Sequence, residues 1–120
     1  MNFLSDLKKF KELELNKKDL TDIIKKDLKS LTIDIPIIVE NVDVIRLLEA
    51  YLSKQISLQD VVDWVNVIWF TELYEYSDSQ CDSIASVLNE LEEADEDIEK
   101  LSKNKIEKYL YALKNNIEFI

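Results

Sequence analysis

Apolar residues return at helical spacing along most of this chain. Phe3, Leu4, Leu7, Phe10 and Leu13 fall on one face across residues 2–14. Asn16 followed by Asp19 has the form of a capping box, and Leu20, Ile23, Ile24, Leu28 and Leu31 then share a face. The pattern breaks at residues 31–36, where Pro36 steers Ile35 away from helix. Thr32 to Val39 is rich in strand formers and leaves room for one short extended piece. Asn41 is a candidate cap for the next helix, with Val44, Ile45, Leu48, Tyr51 and Leu52 as its stripe.

Ser57 with Asp60 repeats the capping-box pattern. It opens the most hydrophobic stretch, from Val61 through Trp64 and Trp69 to Leu73. Branched and aromatic residues favour strands, but the cap precedes them and Val61, Val65, Ile68 and Leu73 keep helical spacing. A helix apolar on nearly every side belongs at the centre of a bundle, and both tryptophans read as core. Tyr74 to Ser79 reads as a joint. Ser79 with Asp82 then caps a helix bearing Cys81, Ile84, Ala85, Leu88 and Leu91, which the acidic run Glu92–Glu99 either continues or bends near Asp95. Ser102 caps the last helix, with Ile106, Tyr109, Leu110, Leu113 and Ile117 in line. The expectation is an all-α fold: a compact bundle of five to six helices in one domain spanning 1–120. Its N-terminal helical segment, 1–36, packs on an acidic helical core, 40–120.

Composition sharpens this picture mainly by what is missing. There is no glycine, no histidine, and only one proline and one cysteine. Glycine normally supplies the positive φ of hairpin turns and helix C-caps, so sheet-rich folds are disfavoured and joints are expected to use Asn and Ser. Glycine-rich phosphate loops and nucleophile elbows are excluded with it. Without histidine the usual general base is gone. Cys81, on the apolar stripe of its expected helix, reads as a small buried hydrophobe and not as a nucleophile. The chain is therefore expected to be no enzyme and to need no cofactor or metal. The carboxylates of 92–99 lack the ligand order of a calcium loop and read as a solvated face. No apolar leader or membrane-length run is present, so the expected compartment is the cytoplasm, without membrane contact.

The formal net charge is −10, unevenly spread. Residues 34–101 hold seventeen acids against three bases (Arg46, Lys54, Lys100), a net of −14, while each flank carries +2. The lysines of residues 1–33 alternate with acids, so direct nucleic-acid binding is not expected. An acidic field of this kind attracts basic partners. Tyrosine is a favoured interface anchor, and acids beside it pair with Lys or Arg of such a partner. Glu72, Tyr74, Glu75, Tyr76, Asp78 and Asp82 form the first candidate surface, and Glu92, Glu93, Asp95 and Glu96 the second.

The segment Arg46-Leu-Leu-Glu-Ala-Tyr-Leu52, followed by Ile56-Ser-Leu-Gln-Asp-Val-Val-Asp-Trp-Val65, resembles the immunity proteins of bacterial contact-dependent growth inhibition systems. The short, acidic, single-domain profile is also similar to the helical immunity proteins of nuclease colicins. The likeness covers residues 40–92 and leaves 1–36 outside it. It implies binding and neutralising a cognate toxin domain, a basic protein and often a nuclease, in a 1:1 complex. No toxin-contact residue carries over, because such families diverge most where they meet their toxins. Two other classes fit the composition: an acidic nucleic-acid mimic that blocks a DNA-binding enzyme, and a structural helical adaptor.

Overall fold

A computed structural model describes residues 3–25 and 27–120. Six α-helices and one two-stranded sheet make up the regular structure among them: α1 (Leu4–Lys11), α2 (Lys17–Ile24), β1 (Ile37–Val39), α3 (Asn41–Leu52), α4 (Leu58–Phe70), β2 (Tyr74–Tyr76), α5 (Cys81–Leu91) and α6 (Lys103–Lys114). Short 3-10 turns at Leu28–Ser30, Asp78–Gln80 and Ile98–Leu101 connect them. The fold is mostly α, as the apolar spacing requires.

Local caps explain where several helices begin. Asn16 accepts from the Asp19 N–H at 2.8 Å, and Asp19 accepts in return from the Asn16 N–H at 3.4 Å. Ser57 and Asp60 make the same reciprocal pair at 3.1 and 3.0 Å. Ser102 accepts from the Lys105 N–H at 3.3 Å. Each pair satisfies amide donors that a helix start otherwise leaves unbonded.

α4 is the central helix. Trp64 is 1% exposed, and Val61, Val62, Val65, Val67 and Ile68 are buried around it. α1 and α2 pack on one side of α4 and α5 on another, while α3 lies along α6. The Trp64 indole N–H donates to the Lys11 carbonyl at 3.1 Å and so fastens α1 to α4.

Several expectations need correction. α4 ends at Phe70, so Leu73 reaches the core from the segment beyond it. α2 stops at Ile24 because Lys25 turns left-handed (φ 59°), so the face running to Leu31 is broken. Leu28 still reaches the core, from a 3-10 turn, but Ile23 is exposed. Glu40, not Asn41, is the N-cap of α3; its N–H donates to Asp43 Oδ2 at 2.9 Å, and Asn41 is a buried helical residue. Ser79 does not cap α5, which begins at Cys81 after a 3-10 turn with Gln80 as its uncapped boundary. Cys81 is exposed at the first position of α5, while Ser83 and Ile84 of the same turn are buried. Ile117 lies beyond the end of α6 and is exposed. The joints also use unexpected residues. Positive φ is taken by Leu13, Lys25 and Lys54 as well as Asn116, each at roughly 1 kcal/mol or more relative to glycine.

The extended piece expected near 32–39 is found as β1, and its partner is β2, inside the segment read as a joint. The two strands run parallel, with Ile37 opposite Tyr74, Ile38 opposite Glu75 and Val39 opposite Tyr76. One strand alone would not persist; the distant second strand satisfies its backbone.

Candidate partner-binding surface

The parallel pair decides what residues 72–82 can offer. The Ile37 N–H donates to the Leu73 carbonyl at 2.9 Å and the Ser77 N–H to the Val39 carbonyl at 2.8 Å. That register turns Tyr74 and Tyr76 to the protein side and Glu75 to solvent, beside exposed Ile38. Tyr74 is 7% exposed, and its hydroxyl donates to the Leu7 carbonyl at 2.6 Å. This corrects the first candidate surface: Tyr74 is a core residue that ties β2 to α1 and cannot face a partner. Tyr76 is half-buried.

Glu72, Glu75, Asp78 and Asp82 are all exposed. None of the four is in an ion pair among the described residues. Asp78 and Asp82 stand in the first turns of their helices, where the unbonded amides favour negative charge. The acids of α3 differ. Asp43 is held by Lys11 at 3.3 Å and Arg46 at 2.9 Å, and Glu49 lies 3.9 Å from Lys114. The weakly basic flanks thus partly neutralise α3 and leave the field concentrated further along the chain.

The second candidate group does not join the first. α5 ends at Leu91, and turns anchored by fully buried Ala94 carry Glu92, Glu93, Asp95 and Glu96. Glu92 is half-buried and the other three are exposed. Lys100 sits 3.2 Å from Glu90 and 3.6 Å from Glu93. At 1.5 Å rise per residue, α5 holds the two groups about 16 Å apart. Between them the accessible positions Ala85, Ser86 and Asn89 are uncharged, and Glu90 is the one acid. Among the described residues, no group of three or more His, Cys, Asp or Glu is placed to hold a metal ion.

A groove of about 530 Å³ that sequence reasoning missed runs beside this surface. Trp69, Asp82, Glu90, Glu118 and Phe119 line it. Trp69, expected in the core, is instead half-buried and stacks on the exposed Phe70 ring (centroids 5.7 Å, 13° between planes). The far wall is the segment after α6. Asn116 donates to the Ser79 carbonyl at 3.0 Å and accepts from Asn41 Nδ2 at 3.1 Å. Ser83 donates to Asn41 Oδ1 at 2.6 Å. The Phe119 N–H donates to Ser86 Oγ at 2.8 Å, and its ring meets Tyr109 edge-on at 4.9 Å. The one available signal was the Asn115-Asn116 pair, a helix stop that frees residues 117–120 to fold back.

The buried phenols predict alkaline instability. Burial pushes Tyr76 up to about 12, with a smaller contribution from Cys81. Burial also pushes Tyr109 up to about 12, helped by the charges of Glu90 and Asp97, and raises Tyr74 further. In the unfolded chain these groups ionise near 10.0. Between those values the folded state holds more protons, so its stability is intact below pH 10 and falls as pH rises towards 12. Circular dichroism and tyrosinate absorbance followed together should show the ionisation of these three phenols coinciding with unfolding. Ionisation of Tyr74, Tyr76 and Tyr109 near pH 10 in a protein still folded would contradict the burial.

No family model, curated protein or solved structure matches this chain. No helix among the described residues is long and apolar enough to cross a membrane.

Proposed function

We propose that this protein is a binding inhibitor of the immunity type, which neutralises a basic toxin domain, a nuclease by preference, in a 1:1 complex. The observation that carries this reading is the set of four exposed acids, Glu72, Glu75, Asp78 and Asp82, free of ion pairs among the described residues. They stand on a framework fixed by the β1–β2 pairing and the start of α5. A nuclease groove is positively charged to hold nucleic acid, so the same field that repels nucleic acid draws this protein to it. The resemblance of residues 46–65 to growth-inhibition immunity proteins points the same way. The mimic reading needs a continuous acidic stripe, whereas uncharged Ala85, Ser86 and Asn89 interrupt the acids along α5 and Glu90 is held by Lys100. The adaptor reading needs a broad apolar face; exposed Ile35, Phe70 and Ile98 stand on separate elements, and Tyr111, Ile117 and Ile120 gather only around one groove beside α6.

Co-expression with the toxin encoded beside its gene tests the proposal directly. Restored growth and a co-purifying 1:1 complex are expected; continued killing with no complex would refute it. Charge reversal at Glu75 and Asp78 is expected to slow association with that toxin roughly tenfold at low salt and to flatten its salt dependence. Stopped-flow mixing at several ionic strengths reads both effects. An unchanged rate would place the contact elsewhere on the molecule.

A further inference from the structure

We infer that the groove between α5 and the C-terminal segment receives an arginine side chain of the partner. This deepens the proposed function and rests on its reading of a basic partner. The groove has two aromatic side chains, Trp69 and Phe119, and three carboxylates, Asp82, Glu90 and Glu118, while no lysine or arginine lines it. Glu90 is engaged by Lys100, so the unbalanced charge is that of Asp82 and Glu118, both exposed and outside any ion pair among the described residues. An anion is repelled here, and a neutral ligand would leave two carboxylates facing it without a counter-charge.

Among cations, guanidinium matches best. It is planar and weakly hydrated, stacks on aromatic rings, and forks its N–H donors onto carboxylates. The compact ammonium of lysine keeps its water more tightly and gains less from the rings. The walls are also held in place before binding. Phe119 is fixed by its backbone bond to Ser86 and its contact with Tyr109, and the turn leading to it is fixed by Asn116. Little ordering cost then remains for the incoming side chain. Asp82 belongs both to this groove and to the acidic surface of residues 72–82, so a docked basic segment can reach both at once.

Isotope-labelled protein titrated with Nα-acetyl-arginine amide, Nα-acetyl-lysine amide and Nα-acetyl-citrulline amide tests the assignment. Arginine amide is expected to give saturable NMR shifts at the Trp69 indole N–H and the Ala85 and Phe119 amides. Lysine amide should give weaker shifts, and citrulline amide, its uncharged isostere, none. The Asp82→Asn/Glu118→Gln double variant should keep its folded spectrum and lose the arginine response. Equal responses to citrulline and arginine, arginine shifts confined to the turn at Asp95 and Glu96, or an undiminished response in the double variant would each overturn the inference. Arginine binding in the groove without toxin neutralisation would sink the proposed function alone. Neutralisation with a silent groove would sink this inference alone.

Discussion

Trp64→Ala is expected to lower folding stability by about 3–5 kcal/mol, a large part of what a domain of this size possesses. Trp64 is 1% exposed at the middle of α4, against which α1, α2, α3 and α5 pack. Truncation removes the largest side chain of the core and leaves a void that rigid neighbours close only in part. It also strips the Lys11 carbonyl of its indole donor, 3.1 Å away, at the end of α1. Trp64→Phe separates the two effects, since it keeps most of the volume and removes the donor; about 1 kcal/mol of its cost then belongs to the hydrogen bond. Trp69→Ala serves as the comparison, because Trp69 is only half-buried and rests on exposed Phe70. Urea unfolding of the three variants should rank Trp64→Ala far below the others. Similar midpoints for the two alanine variants would contradict the central position of Trp64.

The second large effect is expected at Asp43, which is 3% exposed. Its Oδ2 accepts from the Glu40 N–H at 2.9 Å and faces Lys11 Nζ at 3.3 Å, while its Oδ1 accepts from Arg46 at 2.9 Å. Lys11 also donates to the Ile38 carbonyl at 3.2 Å, so one carboxylate links α1, the outer edge of β1 and the start of α3. Asp43→Ala leaves the Lys11 ammonium, only 13% exposed, without its counter-charge, and the expected loss is about 3–5 kcal/mol. Lys11→Met should cost less, because Asp43 keeps Arg46 and the backbone donor while an apolar chain fills the space. In the double variant no buried cation is stranded, so the loss should be well below the sum of the single losses. Additive losses on chemical denaturation would mean that the pair is not coupled. Binding of a basic partner should survive Lys11→Met, since the acids of 72–82 lie on other elements.

Local chemistry was legible at three of the helix starts, though not at Asn41 or Ser79. Asn16/Asp19, Ser57/Asp60 and Ser102 announced helix starts, because a cap is made by side chains three residues from the amides they satisfy. The helical spacing of Val61, Val65 and Ile68 likewise outweighed their strand preference, and these residues do form the buried helix at the centre. The absence of glycine disfavoured a sheet-rich fold but did not place the left-handed joints. Leu13 and Lys54 adopt positive φ in the joints between helices and Lys25 at the end of α2, and no property of leucine or lysine forecasts it.

The sequence by itself determined the mostly helical fold, the central place of α4 and the concentration of acids in residues 34–101. Only the tertiary structure decided which of those acids remain available. Lys11, Arg46 and Lys114 meet the carboxylates of α3, and Lys100 meets Glu90 and Glu93; Glu72, Glu75, Asp78 and Asp82 are among the acids left outside any ion pair among the described residues, as are exposed Asp95 and Glu96. It also buried Tyr74, exposed Cys81 and built the Trp69–Phe119 groove. The physical reason is one of range. Periodicity and capping are fixed by neighbours within a helical turn, whereas an ion pair, a parallel strand pair or a groove needs residues tens of positions apart. Those residues meet only after the core has packed.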